Sequence, residues 1–153
     1  MVFFCLDKLA PWRYNGEKER ICLIRLRPHH GLCIGQFVGK GYSEEFVRNM
    51  AGLIEKLEQH PQELIELCCC ADDVCKCCPH RQETGCTSGQ KVERYDAACL
   101  SLCGFQEGRQ ISWKSFRERV IERIIRPGRL KEVCADCEWL SLCLGFYQGH
   151  GKD

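Results

Sequence analysis

Apolar and polar positions change their period several times along the chain, and each change predicts an element. ICLIRLR, from Ile21 to Arg27, alternates enough for a short strand, which Pro28 is expected to stop. His29 and His30 follow on what reads as an irregular segment, leading into the small apolar stretch GLCIGQFVG, and Gly39 and Gly41 then punctuate a turn. Ser43 is placed to cap a helix whose first turn carries Glu44 and Glu45, where the macrodipole favours acids. Phe46, Met50, Leu53, Ile54 and Leu57 recur at helical spacing and predict its buried face, and Pro61 marks the break.

Leu64 to Cys69 reads as a second short strand, or a buried helical turn. A helix fits Lys91 to Leu102, with Val92, Tyr95, Ala98, Cys99 and Leu102 on one face. Ser112 caps another, where Trp113, Phe116, Val120 and Ile124, flanked by Ile121 and Ile125, form an apolar stripe up to Pro127 and Gly128. Residues 1–19 lack periodicity and read as an N-terminal extension with Trp12 and Tyr14 tucked onto the domain, or as a start upstream of the native one. The expected architecture is therefore a single mainly α domain over residues 20–153, with a small two-stranded β element.

Composition changes this picture through cysteine. Fifteen of the 153 residues are Cys, and setting them aside takes the 44% apolar fraction to about a third, low for a domain held by hydrophobic burial alone. Bound metal would make up the deficit. MVFFCLDKLAPW has too few apolar residues before Asp7 and Lys8 for a signal-peptide core, and no apolar run reaches the roughly 18 residues of a membrane span. The expectation is a cytoplasmic protein, where thiols stay reduced and clustered cysteines hold metal. A net charge of +1 gives no pull toward nucleic acid.

The cysteines are not scattered. Cys75-x-x-Cys78-x7-Cys86 and Cys134-x-x-Cys137-x5-Cys143 form two similar triplets on either side of the helix-rich middle. A Cys-x-x-Cys turn converges two sulfurs on one point and lets backbone N–H groups face them. Common zinc modules separate such pairs by roughly 15–20 residues, whereas 55 lie between Cys78 and Cys134, so the site is expected to form across a folded domain. Six thiols also exceed the four of structural zinc, which favours an iron–sulfur cluster, 4Fe–4S by preference, with zinc as the alternative. Cys78-Pro79 echoes the Cys-Pro that closes ferredoxin motifs. Six ligands are too many for one cluster and too few for two, so either two are spare or a second site recruits Cys33, another cysteine or a histidine.

The other cysteines carry less. Two thiols of the Cys68–Cys70 run would bind a soft ion or form a redox pair, but a strand sends alternate residues to opposite faces. Cys99 and Cys103 sit one helical turn apart, Cys99 on the apolar face as a small core residue. Cys5 and Cys22 read as incidental. His29 and His30 are candidates to ligate metal, to shuttle protons or to bind an anion with Arg25 and Arg27; the plain alternative is one loop hydrogen bond and one solvent-facing ring. Asp72 and Asp73 suit loop shaping through backbone N–H bonds better than ligation of a soft metal. Arg119, Arg123 and Arg126 make a basic stripe, but Glu118 and Glu122 alternate with them as on an ordinary solvated face.

LRPHHGLCIGQFVGKGYSEEFVRNM from Leu26, then DDVCKCCP, Cys86, KVERYD and VCADCEWLSLC, together resemble a bacterial and archaeal family called domain of unknown function 1284, over about residues 21–146. The pattern carried over is His29, His30, Cys33, the Gly39–Ser43 turn, Asp73, Cys75, Cys78, Cys86, Cys134, Cys137, Trp139 and Cys143. Cys68 to Cys70, Cys77, Cys99 and Cys103 are additions to it. The resemblance implies an iron–sulfur protein and supplies no reaction.

Three functions follow as expectations. The first is a small cluster protein in electron transfer or redox or metal sensing, with a redox partner protein. The second is a zinc-stabilised interaction module, and the third a cluster enzyme using His29 or His30. The Cys-x3-Cys-x-x-Cys signature of radical S-adenosylmethionine enzymes is absent, as are Walker and dinucleotide glycine motifs.

Overall fold

The computed structural model describes residues 23–150, with side chains to residue 146. The expected extension at 1–19, Cys5 and Cys22 lie outside the described residues. Helices dominate, as the periodicity predicts. The elements are β1 (Ile24–Leu26), α1 (Pro28–Ile34), α2 (Glu44–Gln59), β2 (Leu64–Leu67), β3 (Arg81–Gln82), β4 (Gly85–Cys86), α3 (Gly89–Cys103), β5 (Gln110–Ser112), α4 (Trp113–Val120), α5 (Leu130–Cys134) and α6 (Leu140–His150).

The two strands expected from the sequence pair in parallel, Ile24 with Ile65 and Leu26 with Leu67. Both pairs face the core, and α1 and α2 occupy the crossover between the strands. A third strand, β5, adds antiparallel to β2 through Ile65–Ile111. Its three residues, Gln-Ile-Ser, are too short to show a period, which hides it in the sequence. The β3–β4 hairpin forms a separate two-stranded sheet inside the first cysteine triplet.

Pro28 starts a helix instead of merely ending a strand. Arg27 is extended at the N-cap and Pro28 takes the first helical position, where its missing N–H costs no bond and its fixed φ suits the turn. His29, His30 and Cys33 thus stand on helix α1, a correction to the irregular segment expected there. A Cβ on Gly31 would collide with the Phe116 ring, so glycine lets α1 lie directly on the core.

The Ser43 hydroxyl accepts from Phe46 N at 3.1 Å, and the Ser112 hydroxyl accepts from Ser115 N at 3.2 Å, so both expected caps form. Gly104, at φ 69°, closes α3 in the left-handed conformation that glycine adopts without strain. After α4 a π-helical turn, Ile121–Ile125, carries Ile124 into the core. Leu26, Leu32, Leu57, Ile65, Leu67, Val74, Phe116, Val120 and Ile124 form the fully buried centre beneath α1.

Candidate metal centre

Two cysteine loops approach α1 from different supports. The first begins where Asp73 exchanges hydrogen bonds with Arg25 of β1, its N–H donating to the Arg25 carbonyl (3.1 Å) and its carboxylate accepting from Arg25 N (2.9 Å). A 3-10 turn, Val74–Cys77, then sets Cys75 and Cys78, with Cys78 N donating to Cys75 O. Asn49 of α2 donates to the Asp73 and Val74 carbonyls and pins the turn. The hairpin returns Cys86 opposite Arg81, three residues from Cys78.

The second loop leaves α5 at Cys134. Cys137 N donates to Cys134 O (3.0 Å), and Cys143 N to Trp139 O on the first turn of α6. Asp136 ties it to α3, accepting from Tyr95 Oη (2.9 Å) and Arg94 (3.0 Å).

All six triplet cysteines, with Cys33, His29 and His30, line one cavity of about 210 Å³. The nine residues nominated from sequence are thereby brought together from three separate segments. Cys68, Cys69, Cys70, Cys77, Cys99 and Cys103 are not among its lining residues. Cys70 accepts from the Arg25 guanidinium (3.2 Å), and Cys99 donates to the Pro28 carbonyl (3.5 Å) in the core. The thirteen cysteines among the described residues are all free thiols.

Below the cavity runs a buried polar network. Asp96, on the core face of α3, is fully buried; it accepts from Arg27 Nε (2.8 Å) and pairs with His29 Nδ1. A carboxylate in that position needs such partners, because an unpaired buried charge costs several kcal/mol. Burial and the neighbouring His30 push the His29 pKa down to about 4, and Arg27 already balances Asp96, so His29 is neutral. The Arg27 guanidinium, committed to Asp96, and Arg25, turned to Cys70, do not form the anion site weighed for the histidines.

Asp72 is the second buried carboxylate. Its Oδ2 accepts from Arg27 N (2.6 Å) and pairs with His30 Nδ1 (2.8 Å), while Oδ1 accepts from Cys75 N (3.0 Å). Burial works against its charge, but His30 and these N–H groups outweigh it and hold the carboxyl at about 2. Asp72 and Asp73 thus both shape the first loop. Ligand atoms of His30, Asp72 and Cys75 lie within 4.8 Å of one another, close enough to share a metal ion.

The thiols resist ionisation where they are. Burial, then the charges of Cys137 and Cys143, push Cys134 up to about 12; burial, then Cys134, Cys137 and Cys143, raise Cys33 far above its ordinary range. Burial followed by Asp72 raises Cys75, and burial raises Cys78, with Cys86 adding to it. A bound cation would reverse this cost, since ligand thiols lose their protons to the metal. Seven soft sulfurs and two imidazoles around one cavity are a donor set that fits a soft metal or cluster.

Aromatic rings collect at the cavity wall. Tyr42 meets His80 (4.6 Å between centroids), Phe46 (5.5 Å) and Trp139 (5.7 Å), and all four line the cavity. Tyr42 is 40% exposed, so this collar stands at the mouth of the cavity, where Cys75 and Cys134 are buried and the other five thiols are half-buried. His80 and Asp96 escaped the sequence reading. Asp96 had a signal, since it shares a helix face with Cys99 and Cys103 at i, i+3 and i+7.

With this geometry in place, comparison with known proteins gives one match. The family model described as "Protein of unknown function (DUF1284)" matches residues 41–143. The chain belongs to this family. The DUF1284 match contains both cysteine triplets, the Tyr42 turn and Trp139, and begins after His29, His30 and Cys33. No curated protein and no solved structure matches the chain. Among the described residues, no helix of this DUF1284 protein is long and apolar enough to cross a membrane.

Proposed function

We propose that this DUF1284 protein is an iron–sulfur protein, acting in electron transfer or in redox or metal sensing. One observation carries the reading: six triplet cysteines and Cys33, from three distant segments, line a single cavity. Cys75, Cys78, Cys86, Cys134, Cys137 and Cys143 hold the group, with Cys33, His29 and His30 beside them. Among the described residues, no three thiols close to within 4.8 Å of one another. Seven thiols around one cavity exceed the four of a structural zinc, which favours a cluster of the 4Fe–4S kind.

When bound, such a cluster supplies one-electron transfer. The chain's own part is to offset charge at the sulfurs. The backbone N–H groups of His80 and Arg81 face the Cys78 sulfur and that of Ser88 the Cys86 sulfur, and the Tyr42–Trp139 pair lines the cavity wall beside them. A redox partner protein completes the role, with no membrane or nucleic acid involved. The test is anaerobic purification with iron, sulfide and visible absorption; a colourless protein with stoichiometric zinc overturns the reading. Zinc is the second reading, favoured by the single-ion spacing of His30, Asp72 and Cys75.

A further inference from the structure

Six thiols do not divide into complete sites. One four-ligand centre leaves two over, and two centres leave two ligands short. Helix α1 supplies the missing pair. His30 and Cys33 stand three positions apart, on the same side of the helix, and both line the cavity.

The two residues engage different loops. His30 is bonded through Nδ1 to Asp72 (2.8 Å), and one of its ring nitrogens lies within 4.8 Å of the Cys75 sulfur, in the first loop. Cys33 lies one turn further along α1, the helix that α3 meets through Cys99 and the Pro28 carbonyl (3.5 Å), and the second loop is tied to α3 through Asp136 and Tyr95 (2.9 Å). The loops are also anchored apart, the first on β1 and α2 through Asp73 and Asn49, the second on α3 through Asp136.

We propose that the cavity holds two metal centres, one bound by Cys75, Cys78, Cys86 and His30, the other by Cys134, Cys137, Cys143 and Cys33. Asp72 is not itself a ligand in the first. Its oxygens already serve Arg27 N, Cys75 N and His30 Nδ1, so it turns the imidazole and leaves Nε2 as the donor, the usual arrangement of a carboxylate behind a metal-bound histidine. One centre is therefore all-thiolate and the other carries one imidazole. The inference rests on metal binding in the cavity, whichever soft metal it is.

The experiment measures iron, sulfide and zinc per chain in anaerobically purified wild type and in Cys33→Ser, His30→Ala and His30→Cys. Cys33→Ser and His30→Ala should each lose about half the metal, the double variant nearly all, and His30→Cys should regain the wild-type amount with a shifted absorption spectrum. Unchanged content in either single variant, or complete loss in both, overturns the two-centre assignment. Because a variant can fail to fold, cobalt(II) titration of metal-free wild type gives a second measurement. An endpoint at two ions per chain supports the assignment, and one ion per chain contradicts it. Two zinc ions without sulfide would refute the iron–sulfur reading and leave the two centres standing, whereas a chain that binds no metal refutes both.

Discussion

The two cysteine loops share a spacing but are built differently. The first rests on a buried carboxylate: Asp72 holds two backbone N–H groups and His30, and Asp73 locks the loop to β1. Among the described residues the second has no buried carboxylate beneath it; its hold is Asp136, about half exposed, on Tyr95 and Arg94. Buried, charge-assisted bonds are worth more than exposed ones, so the first loop is set before a ligand arrives. The second depends more on what it binds. Similar motifs thus give one preorganised half-site and one that binding must order.

The largest effect expected comes from below both loops. Asp96→Ala leaves Arg27 buried without its partner and frees His29, which should cost about 3–5 kcal/mol in urea unfolding and disturb both loops together. Asp72→Ala separates them: it should cost about 2–3 kcal/mol by the same measurement and weaken metal retention against a chelator roughly 10–100-fold, at the first triplet only. Gly31→Ala drives a methyl into Phe116 and lifts α1, for about 1–3 kcal/mol of thermal destabilisation and metal loss from both triplets. Asp136→Asn should cost less than about 1 kcal/mol in the same melt, and a cost equal to that of Asp72→Ala would erase the contrast between the loops. Cys77→Ser, at an exposed position off the cavity, should leave metal content unchanged on elemental analysis.

The sequence made the long helices legible because their apolar periods run for several turns and begin at serine caps. Short elements escaped it: β5 has three residues, and the β3–β4 hairpin has two per strand. Proline was ambiguous, since the residue that ends a strand also opens a helix, and this moved His29, His30 and Cys33 onto α1. The cysteine spacing marked the ligand candidates, since a Cys-x-x-Cys turn is a local geometry. Which triplet joins which residue of α1 is a matter of tertiary contact between segments about 40 and 100 residues apart, and no local pattern encodes it. Asp96 illustrates the same limit, an acid in an apolar helix face whose purpose appears only when Arg27 and His29 arrive beside it.

The most direct test is iron, acid-labile sulfide and zinc per chain in wild-type protein prepared without oxygen. The account predicts iron and sulfide in comparable amounts, a brown protein that bleaches on reduction, and zinc well below one ion per chain. A colourless protein carrying stoichiometric zinc and no sulfide would contradict it.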